Sequence, residues 1–125
     1  MSHSYRDLIV WQKAVDTVTM VYKGTRCFPR EETYGLTSQL RRSAVSVACN
    51  IAEGQGRLSK KDFRHFLAQA RGSLLEMETQ IQIAHNLGYF DLKTANSLTD
   101  RTGEVGRLLH RLIQSLAPSL DPTEN

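Results

Sequence analysis

Residues 59–88 read SKKDFRHFLAQARGSLLEMETQIQIAHNLG. Within them Phe63, Leu67, Ala70, Leu74, Met77, Ile81 and Ala84 recur in alternating steps of four and three. That spacing lines one flank of an α-helix, whereas a half-buried strand alternates with a period of two. Six such steps in succession make a heptad seam and predict a helix over residues 59–87. Ser59 supplies an N-cap, with Asp62 three residues on as a shortened capping box, and Gly88 stops the helix. At 1.5 Å per residue it would be roughly 43 Å long.

Working outward, three more runs show the same period. Leu8, Trp11, Val15, Val18 and Tyr22 predict a helix over 7–27, opened by Asp7 and stopped near Phe28, because Pro29 drives its predecessor out of helical geometry. Leu36, Leu40, Ala44, Val47 and Ile51 predict a second over 36–54, closed by Gly54. Ala95, Leu98, Thr102, Val105, Leu109, Leu112 and Leu116 predict the last over 91–116, capped by Asp91 and ended by Pro118, with 117–125 as a loose tail. Links at 54–58 and 88–90 are short enough to force antiparallel neighbours, and 28–34 is too short for a crossover. The expected fold is all-α, an antiparallel up-and-down four-helix bundle occupying 1–125 as one domain.

Composition agrees. The chain has 125 residues, 40% of them hydrophobic, enough for one core without staples. All three prolines lie outside residues 30–117, which leaves that stretch free to be helical. Cys27 and Cys49 make neither a disulfide framework nor a metal-ligand spacing and are expected to pack as small hydrophobes. The polar opening lacks a secretory apolar region, and no run approaches a membrane span, so a cytoplasmic location is expected.

Net charge is +3, but it is unevenly placed. Residues 36–72 carry seven basic side chains against two acidic ones, +5, and residues 73–125 carry four against seven, −3. Such asymmetry points to an anionic partner or to subunits that meet through opposite charges. If the second and third helices are antiparallel across a tight turn, Arg41 and Arg42 lie near the height of Arg71. Arg57, Lys60, Lys61 and Arg64 then gather at the turn. Together they would form a stripe able to neutralise phosphates, unless they are a solvated face paired with nearby acids.

Catalytic signals are weak. Di-iron bundles use paired Glu-x-x-His motifs, and the nearest match is one copy with a shorter carboxylate, Asp62 to His65. His85 follows Gln82 and His110 follows Arg107 at that offset, so no metal site is expected and His65 reads as a surface residue. No Gly-x-Ser-x-Gly elbow occurs. Gly54-Gln55-Gly56-Arg57 lacks the strand and Lys-Ser/Thr of a phosphate loop and reads as a turn. The small residues Ala44, Ala48 and Ala52, beside Ser43, Ser46 and Cys49, suit close packing inside the bundle or a contact between subunits. Asn50, Glu53, Glu76, Thr79 and Gln80 fall within or beside apolar faces. They either edge the bundle, join Arg42 or Arg57 in a network, or, least favoured, supply a catalytic pair.

Four stretches carry a resemblance: residues 7–14 (DLIVWQKA), 34–44 (YGLTSQLRRSA), 50–57 (NIAEGQGR) and 72–80 (GSLLEMETQ). They resemble the 23S rRNA intervening-sequence protein family of bacteria, over roughly residues 5–116. The resemblance implies a four-helix bundle that assembles with itself, typically as a ring-shaped pentamer, without an established activity. The fold is also similar to the accessory protein of diversity-generating retroelements, whose positively charged barrel binds nucleic acid and a reverse transcriptase. Members usually carry proline where this chain has Ala48, so a kink imposed there would be relaxed. The expectation is therefore a non-enzymatic homo-oligomer, without metal, cofactor, small-molecule substrate or membrane. It would engage RNA or a nucleoprotein through Arg41, Arg42, Arg57, Lys60, Lys61, Arg64 and Arg71. The alternative is a protein scaffold whose basic face closes on the acidic C-terminal half of another subunit.

Overall fold

A computed structural model describes residues 4–118. It contains α1 (Ile9–Gly24), α2 (Leu36–Gln55), α3 (Lys60–Asn86) and α4 (Leu92–Ser115), with short 3₁₀ turns at Tyr5–Asp7, Thr25–Cys27 and Arg30–Glu32. No strand occurs among the described residues. α2 packs most extensively on α3, and α1 meets α2, α3 meets α4, and α4 returns to α1. Each helix therefore touches two neighbours around a closed square, the antiparallel up-and-down bundle that the short links require. The tail expected beyond Pro118, residues 119–125, lies outside the described residues.

α3 is buried along its heptad line. Leu67, Ala70, Leu74, Met77, Ile81 and Ala84 are buried, and Phe63 is half-buried at the open end. On α2 the buried set includes Leu36, Leu40, Ala44, Val47 and Ile51; on α4 it is Ala95, Leu98, Thr102, Val105 and Leu109, with Leu112 and Leu116 at the margin. Ala44 and Ala48 are buried within the single chain, and α2 runs unbroken through Ala48. Both expected caps form: Ser59 Oγ accepts from Asp62 N at 3.0 Å and Asp91 Oδ1 accepts from Thr94 N at 2.7 Å. Gly88 has φ of +78°, the left-handed conformation that favours glycine. The Tyr89 and Gly88 amides donate back to Ala84 and His85 at 2.8 and 3.0 Å, a Schellman closure.

Four local expectations are corrected. The buried line of α1 is Val10, Ala14, Thr17 and Val21, while Leu8, Trp11, Val15 and Val18 flank it and Tyr22 is exposed. Smaller side chains take the centre because α1 is wedged between α2 and α4; Trp11 sits at the edge, where Tyr5 meets its ring at 5.1 Å. Asp7 is not the cap: it belongs to a 3₁₀ turn, and Leu8 precedes α1 with no side-chain cap. The cysteines are not core residues either. Both are exposed free thiols, Cys27 beyond the end of α1 and Cys49 on the outer flank of α2.

Gly54 is the fourth correction. α2 continues to Gln55, and the Gly56 amide closes it by donating to the Ala52 and Glu53 carbonyls. Gly54 is buried inside the helix, where a β-carbon would stand 2.9 Å from Phe63 Cδ1 and 3.0 Å from Phe66 Cβ. Its role is close approach of α2 to α3, not chain reversal.

Candidate nucleic-acid interface

The contacts that set α2 against α3 also decide where the basic residues stand. Gly54 faces Phe63 and Phe66, the hydroxyls of Ser46 and Ser73 share a hydrogen bond of 2.8 Å, and Ser43 Oγ donates to Gln80 Oε1 at 2.6 Å. This register differs by about two helical turns from the one expected for a tight reversal at residue 54. Residues 55–62 are all used in turning over, because the first turn of α3 lies beyond the end of α2 and not beside it. Arg42 consequently shares a groove with Glu76 and Gln80, and Arg71 stands level with Cys49. The seven candidate side chains do not form one stripe.

Arg41 is held by the fold. Its Nε donates to Thr25 Oγ1 at 2.8 Å, a second nitrogen donates to the Tyr22 carbonyl at 3.3 Å, and the guanidinium lies 4.6 Å from the Tyr22 ring centroid. These contacts tie α2 to the end of α1 and leave Arg41 half-buried. Arg42 is exposed and lines a polar groove of about 340 Å³ with Gln39, Ser43, Ser46, Ser73 and Glu76. Asn50 completes the polar seam by donating to the Ser46 carbonyl at 2.9 Å. Glu53, Glu76 and Thr79 are exposed at the bundle edge, and neither carboxylate forms an ion pair among the described residues.

At the α2–α3 turn the expected group is assembled. Arg57, Lys60 and Lys61 are exposed around a fully exposed Leu58, and Arg64 is half-buried behind them. The Arg57 guanidinium stacks 4.4 Å over the Phe66 ring, whose other neighbour is the exposed His65 at 5.9 Å. Arginine lying on an aromatic plane beside unpaired lysines suits both faces of a single-stranded nucleotide, its phosphate and its base.

Arg71 belongs to a different surface, the groove between α3 and α4. It lines about 500 Å³ there with Glu78, Arg107, His110 and Arg111, over Gly103 and Gly106. Arg107, His110 and Arg111 were hidden by the net negative charge of the C-terminal half, although the 107/111 spacing of four residues places both arginines on one flank. One ion pair is present among the described residues, Lys13 with Glu104 at 3.1 Å. None of the seven candidates forms an ion pair among the described residues, and Arg42, Arg57, Lys60, Lys61 and Arg71 are exposed to solvent.

No group of three or more His, Cys, Asp or Glu that could hold a metal ion is found among the described residues. Among the described residues, no helix is long and apolar enough to cross a membrane.

No curated protein shows significant similarity to the chain. Among solved structures, it is similar to a protein of unknown function from the S23 ribosomal protein family of Bacteroides thetaiotaomicron. The TM-score is 0.77 at 22% identity, covering 85% of this chain and 99% of that one, a likeness of fold. The sequence profile described as 23S rRNA-intervening sequence protein matches residues 6–111, nearly the whole bundle, and the chain belongs to that family.

Proposed function

We propose that this chain is a non-enzymatic, homo-oligomeric helical protein of the cytoplasm that binds RNA or a nucleoprotein through its unneutralised basic side chains. The observation that carries this reading is the set Arg57, Lys60, Lys61 and Arg64, gathered at one end of the bundle with no carboxylate partner. Unpaired cations held close together repel one another, and a polyanion relieves that repulsion while releasing its own counterions. Two exposed free thiols suit a reducing compartment. Self-association into a ring, pentameric as the family resemblance implies, is supported by Leu75, Ile83 and Leu87, large apolar side chains left exposed on α3.

The same apolar side chains favour a second reading, a scaffold whose partner is another protein. Binding of a fluorescein-labelled RNA hairpin with an unpaired loop separates the two. RNA affinity in the low micromolar range or better, falling steeply with salt and weakened by Arg57→Glu with Arg64→Glu, supports the first. Absence of salt-sensitive binding removes it and leaves the scaffold.

A further inference from the structure

We infer that the RNA backbone is tracked by the α3–α4 groove, entered at the α2–α3 turn, and that Arg71, Arg107 and Arg111 are its phosphate contacts. This rests on the RNA-binding reading above and names the surface that performs it. Arg64, Arg71 and Glu78 recur at intervals of seven on α3, with Lys60 four residues before Arg64. All four therefore lie along the flank of α3 that faces α4. A β-carbon on Gly106 would stand 3.4 Å from Leu74 Cδ2, which fixes the register of the two antiparallel helices. In that register Arg71 falls between the heights of Arg107 and Arg111, and the three line one groove. From Lys60 to Arg71 the track extends about 16 Å along the helix.

The chemistry of this track suits a polyanion such as a phosphodiester chain, with Glu78 the carboxylate among its lining residues. Its arginines are planar donors that match phosphate oxygens two at a time. The floor beneath them is formed at Gly103 and Gly106, whose lack of side chains lets Arg107 and Leu74 lie close to the α4 backbone. Arg107 lies over that floor, its nearer terminal nitrogen 3.4 Å from where a Gly103 β-carbon would be. Among the described residues none of these arginines is in an ion pair, and Arg64 Nε is buried without a hydrogen-bond partner. At the α2–α3 turn, on the flank of α3 that faces Gly54 of α2, the Arg57–Phe66 stack offers a flat surface on which a nucleobase can lie.

The test compares two double variants of equal charge change, using the labelled RNA hairpin and the full chain. Arg107→Glu/Arg111→Glu removes the groove contacts. Arg26→Glu/Arg30→Glu alters exposed arginines near the α1–α2 connection, away from the groove. The groove variant is expected to lose more than tenfold in affinity, and its plot of log K against log salt to flatten by about 1–2. The control is expected to keep the wild-type slope. Equal losses in the two variants overturn the groove while leaving RNA binding intact. A wild-type chain that binds no RNA overturns both readings. Circular dichroism reports folding, and Arg107→Gln/Arg111→Gln repeats the comparison if the glutamates disturb the helix.

Discussion

Tyr89 and Glu32 stand 57 positions apart in the chain, yet the tyrosine hydroxyl donates to Glu32 Oε2 at 3.0 Å. The other carboxylate oxygen, Oε1, accepts from the Leu36 amide at 3.2 Å, so one side chain caps α2 and holds the α3–α4 turn. Beneath this bond Phe28 packs its ring 5.3 Å from Tyr89 and 4.9 Å from Phe90. The α1–α2 connection is thereby fastened at the end of the bundle opposite the basic turn.

That bond makes stability depend on pH in a stated direction. The hydrogen bond to Glu32, then burial and the Glu32 and Glu31 charges, raise the Tyr89 hydroxyl above its ordinary value of 10.0. A raised folded value means the contribution is full below the unfolded tyrosine range and disappears as pH rises through the folded value. Tyr89→Phe is expected to melt below wild type at neutral pH, and the gap in Tm to close above pH 10. A gap that stays constant from pH 7 through the alkaline range would show that the hydroxyl does not titrate against Glu32.

Arg41 is expected to behave as a structural residue. Replacing it with alanine removes a charged hydrogen bond to Thr25 and a stack on Tyr22. The loss should be about 1–2 kcal/mol by urea unfolding, as both contacts are only half-buried. The salt slope of RNA binding should stay at its wild-type value, in contrast to Arg107→Glu/Arg111→Glu. A flattened slope in Arg41→Ala would return this residue to the binding surface.

Much of this was legible in the sequence, and the parts that were not share one cause. The seam from Leu67 to Ala84, the caps Ser59 and Asp91, and the stop at Gly88 are properties of single segments, and local period and capping chemistry specify them. The buried line of α1 and the placement of Arg71 depend on which helix stands beside which, and at what height. A shift of two turns between α2 and α3 leaves every local pattern intact while changing every interhelical neighbour. Arg107 and Arg111 escaped for a related reason: a regional charge total averages over flanks that point in different directions. Gly54 misled because glycine serves both helix termination and close approach, and only the packed partner, Phe63, distinguishes them.

Gly54→Ala is therefore expected to destabilise the bundle. Overpacking against Phe63 and Phe66 should cost about 1–3 kcal/mol, more than the roughly 1 kcal/mol of helix propensity that alanine adds. Gly56→Ala is the control, because a β-carbon there meets the Glu53 and Ala52 carbonyls at an ordinary 3.5 and 3.9 Å. Its backbone is already right-handed, with φ of −79°, so this change should be neutral or stabilise by up to about 1 kcal/mol. Both are read from urea midpoints, and a Gly54→Ala variant as stable as Gly56→Ala would show that α2 and α3 can separate without loss.

The last prediction concerns the outer flank of α3. Gly72, Leu75, Thr79 and Ile83 follow one another in steps of three and four on the side of the helix away from its buried seam. Leu75 is 55% exposed and Ile83 43%. Both lie beside a groove of about 420 Å³ that runs toward Gln39 on α2. The middle of a water-facing helix would ordinarily carry charge, and here Glu76 is the acidic residue beside an otherwise uncharged strip. If the proposed self-association uses this flank, wild type should show a mass above that of one chain by light scattering, and Leu75→Glu with Ile83→Glu should reduce it to that of one chain. The helical content should remain, because neither side chain belongs to the core. High salt should leave the wild-type assembly intact, since apolar burial is not screened. Dissociation of the wild type by salt, with no change of mass in the double variant, would instead assign the contact to opposite charges.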